Sequence, residues 1–297
     1  YELTKNSKRA YIINLITEFM KKKGLIILGM FLISELEAQK RESITLSQED
    51  IEEIEAITTE LYRDLDRVTP GKKGAPPSDA IILFDGSSLD QWQKPFFDYG
   101  ESMTDYAERL PLLKEGAHMT RPADWKLEGG DLVVVPGTGH LVTKELFSDV
   151  QLHIEWLTPK DISKRGQDYS NSGIFLMGLY EIQILNSFDN ETYSNGQAGA
   201  IYKQHIPLVN ATKPPGNWQE FDIIFNSPKF SESGNLLNPA RITVFHNGVL
   251  IQNNVYLTGP TCYIGQAYYV KHPEKLPILL QNHGNPIRFR NIWARKL

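Results

Sequence analysis

Between Ile81 and Leu297 the chain offers one short extended segment after another, and no stretch of helical periodicity comes between them. Strands without crossover helices pair antiparallel and pack as a sandwich or jelly roll. Ile81–Phe84 is an apolar strand ended by the turn Asp85-Gly86, and residues 124–135 read as a hairpin about Gly129-Gly130. From Gln151 to Trp156 the pattern alternates, with Leu152, Ile154 and Trp156 on one side. Further strands fall at 221–225 and 242–245. Asn247-Gly248 is the strongest hairpin signal, joining 242–246 to 249–252. The last strands are 278–281 and 287–293. Residues 93–122, with Pro95, Pro111 and Pro122, read as a long surface loop. Residues 186–220, rich in Asn, Gly and Pro, read as a connection at one rim, over the face that carries Glu181. The 13 Tyr, 13 Phe and 5 Trp suit packed strands and, on an open face, stacking on sugar rings. The expected fold is all-β, a sandwich or jelly roll.

The segment before this array is different. Met20 looks like a start, and Lys21-Lys22-Lys23 followed by the apolar run from Gly24 to Ile33 is the pattern of an export signal. The run is too short for a stable membrane span, which needs about 20 residues. Cleavage near Ala38 would make the protein periplasmic or secreted, with residues 1–19 an upstream extension. Ser47-Gln48-Glu49-Asp50 reads as a helix start. Ile51, Ile54, Ile57, Leu61 and Leu65 follow at helical spacing, giving an amphipathic helix over 48–67. Residues 69–77, with Pro70, Gly71, Gly74, Pro76 and Pro77, form a linker. The expected organisation is therefore 1–40 leader, 41–78 helix and linker, and 79–297 β-domain.

Charge and cysteine content exclude several classes. A net charge of -5 with no long basic block argues against a nucleic-acid partner. The single cysteine, Cys262, leaves no internal disulfide and no cysteine-rich metal site. The centre of the β-array is residues 171–186. There Tyr180, Ile182 and Ile184 alternate with Glu181 and Gln183. The first set seeks a core, and the second puts a carboxylate and an amide side by side on a face that need not be buried. Such a face is how β-proteins present sugar-binding groups.

Several separated blocks then carry a family signal. They are Ile82-Leu83-Phe84-Asp85-Gly86 with Leu89 and Trp92, residues 171–186, Asn195 to Tyr202, Pro207 to Ala211, Pro215 to Trp218, and Leu280 to Pro286 with Phe289 to Ile292. In that order they resemble the 3-keto-disaccharide hydrolase domain family, over about residues 79–297. The resemblance implies a concanavalin A-like jelly roll, export from a bacterium, and cleavage of 3-keto-glycosides. A ketone at C3 acidifies the C2 proton, so a base can remove it, the C1 substituent leaves and water adds back.

Within the matching motifs Glu181 and His283 are the candidate catalytic groups. Asn171, Gln183, Asn186, Lys203, Asn210, Lys213 and Asn282 are candidate substrate-binding residues, and Tyr202 and Trp218 candidate stacking platforms. A divalent cation on Glu181 is compatible with this chemistry, although no ligand spacing demands one. The substrate partner would be an oligosaccharide or glycoside, and a separate oxidoreductase would supply the ketone. The family pattern has Asp at the positions of Asn186 and Asn282, so both carboxylates are replaced here. Laminarinase-like jelly rolls place acids as Glu-x-Asp-x-x-Glu, whereas this strand reads Glu181-x-Gln183-x-x-Asn186. One local carboxylate disfavours a two-carboxylate glycosidase, unless Asp189 or Glu191 on the next loop completes the pair. The alternative to an enzyme is a lectin-like carbohydrate-binding module.

Overall fold

A computed structural model describes residues 64–72, 74–95, 103–105, 121–160 and 163–297. The chain separates into two units, 1–67 and 68–297, and every strand named below belongs to the second. The leader-like segment and residues 48–63 of the expected helix lie outside the described residues, as does most of the 93–122 loop. Residues 64–67, expected to end the helix, are exposed and not helical.

Fifteen strands are seen among the described residues. In chain order β1 is Ile81–Phe84, β2 Trp92–Gln93, β3 Lys126–Glu128, β4 Asp131–Val133, β5 Leu141–Phe147 and β6 Val150–Leu157. Then follow β7 Ser172–Leu176, β8 Tyr180–Ile184, β9 Gln219–Asn226, β10 Lys229–Phe230 and β11 Leu236–Asn238. The last are β12 Arg241–His246, β13 Val249–Tyr256, β14 Leu276–Leu280 and β15 Arg288–Lys296. An eight-stranded sheet runs β13-β12-β9-β6-β15-β4-β3, with β1 also on β15. A five-stranded sheet runs β2-β5-β14-β7-β8. All pairings are antiparallel, and the two sheets form the expected sandwich. Both short hairpins form where expected. Glu128 pairs with Asp131 around Gly129 and Gly130, and His246 pairs with Val249 around Asn247 and Gly248. All four turn residues take positive φ, which two-residue turns of this hand require.

The core lies between the sheets. Leu152, Ile154 and Trp156 of β6 meet Phe221, Ile223 and Phe225 of β9, with Ile174, Leu176, Tyr180, Ile182, Ile184, Ile278 and Leu280 facing them from the smaller sheet. Tyr180 packs against Phe225 across the sandwich, the ring centres 5.5 Å apart and the planes tilted by 37°. Burying each large apolar side chain contributes about 1.5–3 kcal/mol, and this layer fixes which way β8 faces. Strands β2 and β5 were not expected. In β5 the apolar pattern is broken by Thr143, Lys144 and Glu145, and Thr143 turns inward to accept a hydrogen bond from the Ile278 amide (3.0 Å).

A second, smaller apolar cluster, Val142, Phe175 and Leu279, lies on the outer face of the five-stranded sheet. Registers place Val142 opposite Leu279, Leu279 opposite Phe175, and Phe175 opposite Glu181. Glu181 therefore ends a row of three apolar side chains crossing the sheet.

Candidate active site

Because Tyr180, Ile182 and Ile184 face the core, Glu181 and Gln183 project from the opposite face of β8, as their alternation predicts. The expectation that this face need not be buried is corrected: Glu181 is 3% exposed and Gln183 1%. Segments distant in sequence cover the edge and face of β8. The Thr261 amide donates to Leu179 O (2.8 Å) and the Glu181 amide to Thr261 Oγ1 (2.9 Å). The Gln183 amide donates to Ala200 O (3.0 Å), and the Gly199 and Tyr202 amides to Gln183 O and Glu181 O (2.8 and 3.4 Å). The rim connection thus lies beside the strand that carries Glu181, and the strand is pinned along both neighbours.

These covering segments and the strand enclose a cleft of about 450 Å³. Its walls are Gln167, Asp168, Asn171, Glu181, Gln183, Tyr193, Tyr202, Tyr263, Gln281 and His283. Of the residues expected at a site, Glu181, His283, Asn171, Gln183 and Tyr202 meet here. Gln183 Nε2 donates to Asn171 Oδ1 (2.9 Å) and to the Ser172 and Ile184 carbonyls (3.2 and 2.9 Å). Asn171 Nδ2 in turn donates to Gln167 O (2.9 Å). The amide wall is therefore internally tied. No described residue hydrogen-bonds the Glu181 carboxyl or the His283 ring. Burial alone pushes the Glu181 pKa up to about 8. Gly173 makes room for that carboxyl, since a Cβ there would sit 2.5 Å from Glu181 Oε1.

The other candidates stand outside the cleft lining. Asn186 is fully buried, its Oδ1 accepting the Phe188 amide (3.2 Å). Asn282 braces the turn, its Nδ2 donating to Val135 O (2.7 Å) and its Oδ1 accepting the Gly284 amide (3.0 Å). Asn210 ties its own loop to Ser187 O (2.8 Å), and Lys213 Nζ reaches Trp218 O (3.1 Å). Trp218 lies under the Arg290 guanidinium at 3.9 Å, on the larger sheet, and Arg290 pairs with Glu155 (2.6 Å). Lys203 borders the site: its Nζ is 4.4 Å from the centre of the Tyr263 ring and 5.8 Å from those of Tyr193 and Tyr202. Asp189 and Glu191 are exposed and do not line the cleft; the second carboxylate there is Asp168, at the exposed mouth.

Sequence reasoning missed Tyr193, Tyr263, Gln167, Asp168 and Gln281. Only Gln281 carried a usable signal: it precedes Asn282 and His283, and its amide donates to Gly173 O (2.9 Å), opposite Gln183. His153 and His246 are both buried. His246 stacks on Trp156 at 5.7 Å, and burial, then the charge of Lys213, lowers its pKa to about 3. Among the described residues no three His, Cys, Asp or Glu side chains converge as a metal site would require. No helix among them is long and apolar enough to cross a membrane.

The 3-keto-alpha-glucoside-1,2-lyase-like domain matches residues 79–295 of the chain. The chain belongs to that family. A Parabacteroides distasonis protein provisionally assigned as a glycosyl hydrolase is 40% identical, covering 82% of this chain and 96% of that one, with a TM-score of 0.69. Two more structures from that organism, with the same assignment, are 14% and 21% identical. They cover 74% and 73% of this chain and 94% and 99% of their own, at TM-scores of 0.48 and 0.45. No curated protein matches the chain. The family pattern's two replaced carboxylates, at Asn186 and Asn282, fall outside the cleft of this lyase-like domain. Asn282 uses its amide as a donor to a carbonyl, which a carboxylate could not do.

Proposed function

We propose that the protein is an exported carbohydrate-active enzyme that cleaves 3-keto-glycosides, 3-keto-disaccharides among them. The C2 proton is removed, the C1 substituent leaves and water adds to C1. The observation that carries this reading is the Glu181 carboxyl, 3% exposed and unpaired among the described residues, in a cleft walled by amides and tyrosines. A binding surface gains nothing from a buried, unpaired acid, which costs stability. A proton-transfer catalyst does gain, because a carboxylate whose conjugate acid has a pKa near 8 is a far stronger base than an ordinary one. The membership of the chain in a 3-keto-alpha-glucoside-1,2-lyase-like family supports the same substrate class.

In this scheme Glu181, as carboxylate, takes the C2 proton. His283, on the cleft wall with no ring partner among the described residues, donates to the oxygen of the enolate that forms. Gln183 Oε1 accepts from a sugar hydroxyl, and Asn171 holds the Gln183 amide in place. No step passes through a metal ion. An oxidoreductase that converts the C3 hydroxyl to a ketone must supply the substrate. Export rests on the basic-then-apolar run over 21–33, and fractionation of expressing cells tests it: protein retained in the cytoplasm refutes it.

The test of the chemistry is product release from a 3-keto-disaccharide beside its unoxidised parent. Turnover of the keto sugar alone is expected. Turnover of the parent would instead favour a two-carboxylate route through Glu181 and Asp168.

A further inference from the structure

Elimination leaves one proton unaccounted for, the one needed by the C1 leaving oxygen. Glu181 has just accepted a proton, and His283 faces the enolate. The remaining wall holds Asp168 at its exposed mouth, amide side chains, and three tyrosines, which stand beside Lys203. The Tyr193 hydroxyl lies 2.8 Å from that of Tyr202, and both line the cleft with Glu181. The Tyr193 ring is seated against Gly196, where any Cβ would collide with it. Lys203 follows Tyr202 with a φ of +59°, a conformation lysine rarely adopts, and its amide is anchored to Asn195 O (2.8 Å). That strained backbone holds the ammonium 5.8 Å from the centres of both rings, and its Nζ donates to Tyr263 O (3.3 Å).

We propose that Tyr193 is the acid that protonates the leaving oxygen at C1, positioned by Tyr202 and with its phenolate stabilised by Lys203. The proposal rests on the 3-keto-glycoside reading above. Burial raises the Tyr193 pKa, the hydrogen bond shared with Tyr202 opposes this and the nearby charges of Tyr263 and Glu181 add to it, so the phenol enters the reaction protonated. The C2–H bond breaks with its proton going to Glu181, and the electron pair forms the C2–C3 double bond of the enolate, its charge on the C3 oxygen. The enolate pair then closes the C1–C2 double bond and restores the ketone as the C1–O bond breaks, and the departing oxygen keeps its electron pair and takes the Tyr193 proton. In hydration, water adds to C1 and gives a proton to the Tyr193 phenolate, while Glu181 returns its proton to C2. Both groups end as they began, and one water has been consumed.

The proposal is tested by the leaving group. Tyr193→Phe keeps the ring, and therefore any stacking, and removes only the hydroxyl. With a 3-keto-disaccharide, whose leaving alcohol is poor, kcat/KM should fall on the order of 100-fold or more. With 2,4-dinitrophenyl 3-keto-glucoside, whose leaving phenolate needs no proton, the loss should stay below roughly 10-fold. Tyr202→Phe should show the same split more weakly. Glu181→Gln should lose both activities, because proton removal at C2 precedes either departure. Equal losses on both substrates in Tyr193→Phe, or no loss on the disaccharide, overturn the proposal. A Glu181→Gln enzyme that still turns over both substrates overturns the assignment of the base and leaves the Tyr193 split standing. A wild-type protein inert toward both overturns the 3-keto reading and the proposal with it.

Discussion

Glu181 is held in the folded protein at a cost that pH makes visible. Its pKa rises from the ordinary 4.5 to about 8 on folding, so the folded state holds the proton more tightly than the unfolded chain. Below pH 4.5 both states are protonated and the residue costs nothing by this route. Between 4.5 and about 8 the unfolded chain ionises first, and stability falls by about 1.4 kcal/mol per pH unit. Above about 8 the loss is constant. Glu181→Gln should therefore be more stable than wild type at pH 7, by on the order of 3 kcal/mol, with the gain gone near pH 4. Denaturant titrations at the two pH values check this; an advantage independent of pH would contradict it. Catalysis needs the opposite protonation state. kcat/KM on a keto sugar should rise with pH and level off above about 8, and Glu181→Gln should lower it on the order of 100- to 10,000-fold. The direction in which Glu181 and Gln183 point was legible from alternation alone. The rim connection that supplies Ala200 and Tyr202 was expected over that face, but the extent of the burial was not legible, because Thr261 comes from a segment that nothing in the local pattern ties to β8.

The hairpin of β7 and β8 is the element that makes the site. Glu181 closes the row Val142, Leu279 and Phe175, so its desolvation is a property of sheet register and not of one neighbour. Gly173, on the adjacent strand, is the space into which the carboxyl fits. Gly173→Ala should push Glu181 out of place, costing about 1–3 kcal/mol in stability. It should also lower kcat more than conservative changes in the interior, and shift the pH midpoint away from 8. A variant with wild-type pH profile and rate would show that the carboxyl does not depend on that space. Turn chemistry made the hairpins at Gly129-Gly130 and Asn247-Gly248 readable, since few residues besides glycine and asparagine take those conformations. Strand β5 escaped notice because Thr143, Lys144 and Glu145 interrupt its apolar run. The inward Thr143 donates to Glu145 O in its own strand (2.7 Å) and accepts from β14, which lies more than a hundred residues further on.

Across the whole molecule the two sheets divide the work. The eight-stranded sheet backs the core, and the five-stranded sheet carries the cleft on its outer face. Trp218 shows how this division defeats a reading of motifs alone. Its block matches the family, yet it stacks on Arg290 of β15, in the larger sheet. Trp218→Ala should therefore weaken folding by about 1–3 kcal/mol while leaving KM for a keto sugar within about twofold. A large rise in KM would place it back at the substrate. Neither Asn186 nor Asn282 lines the cleft. The most direct test is the rate of product release from a 3-keto-disaccharide and from its unoxidised parent, for wild type and Glu181→Gln in parallel. Cleavage of the keto sugar alone, abolished by Glu181→Gln, is the expected result. Binding of either sugar without cleavage, unchanged in Glu181→Gln, would contradict it and make this jelly roll a lectin-like binding module.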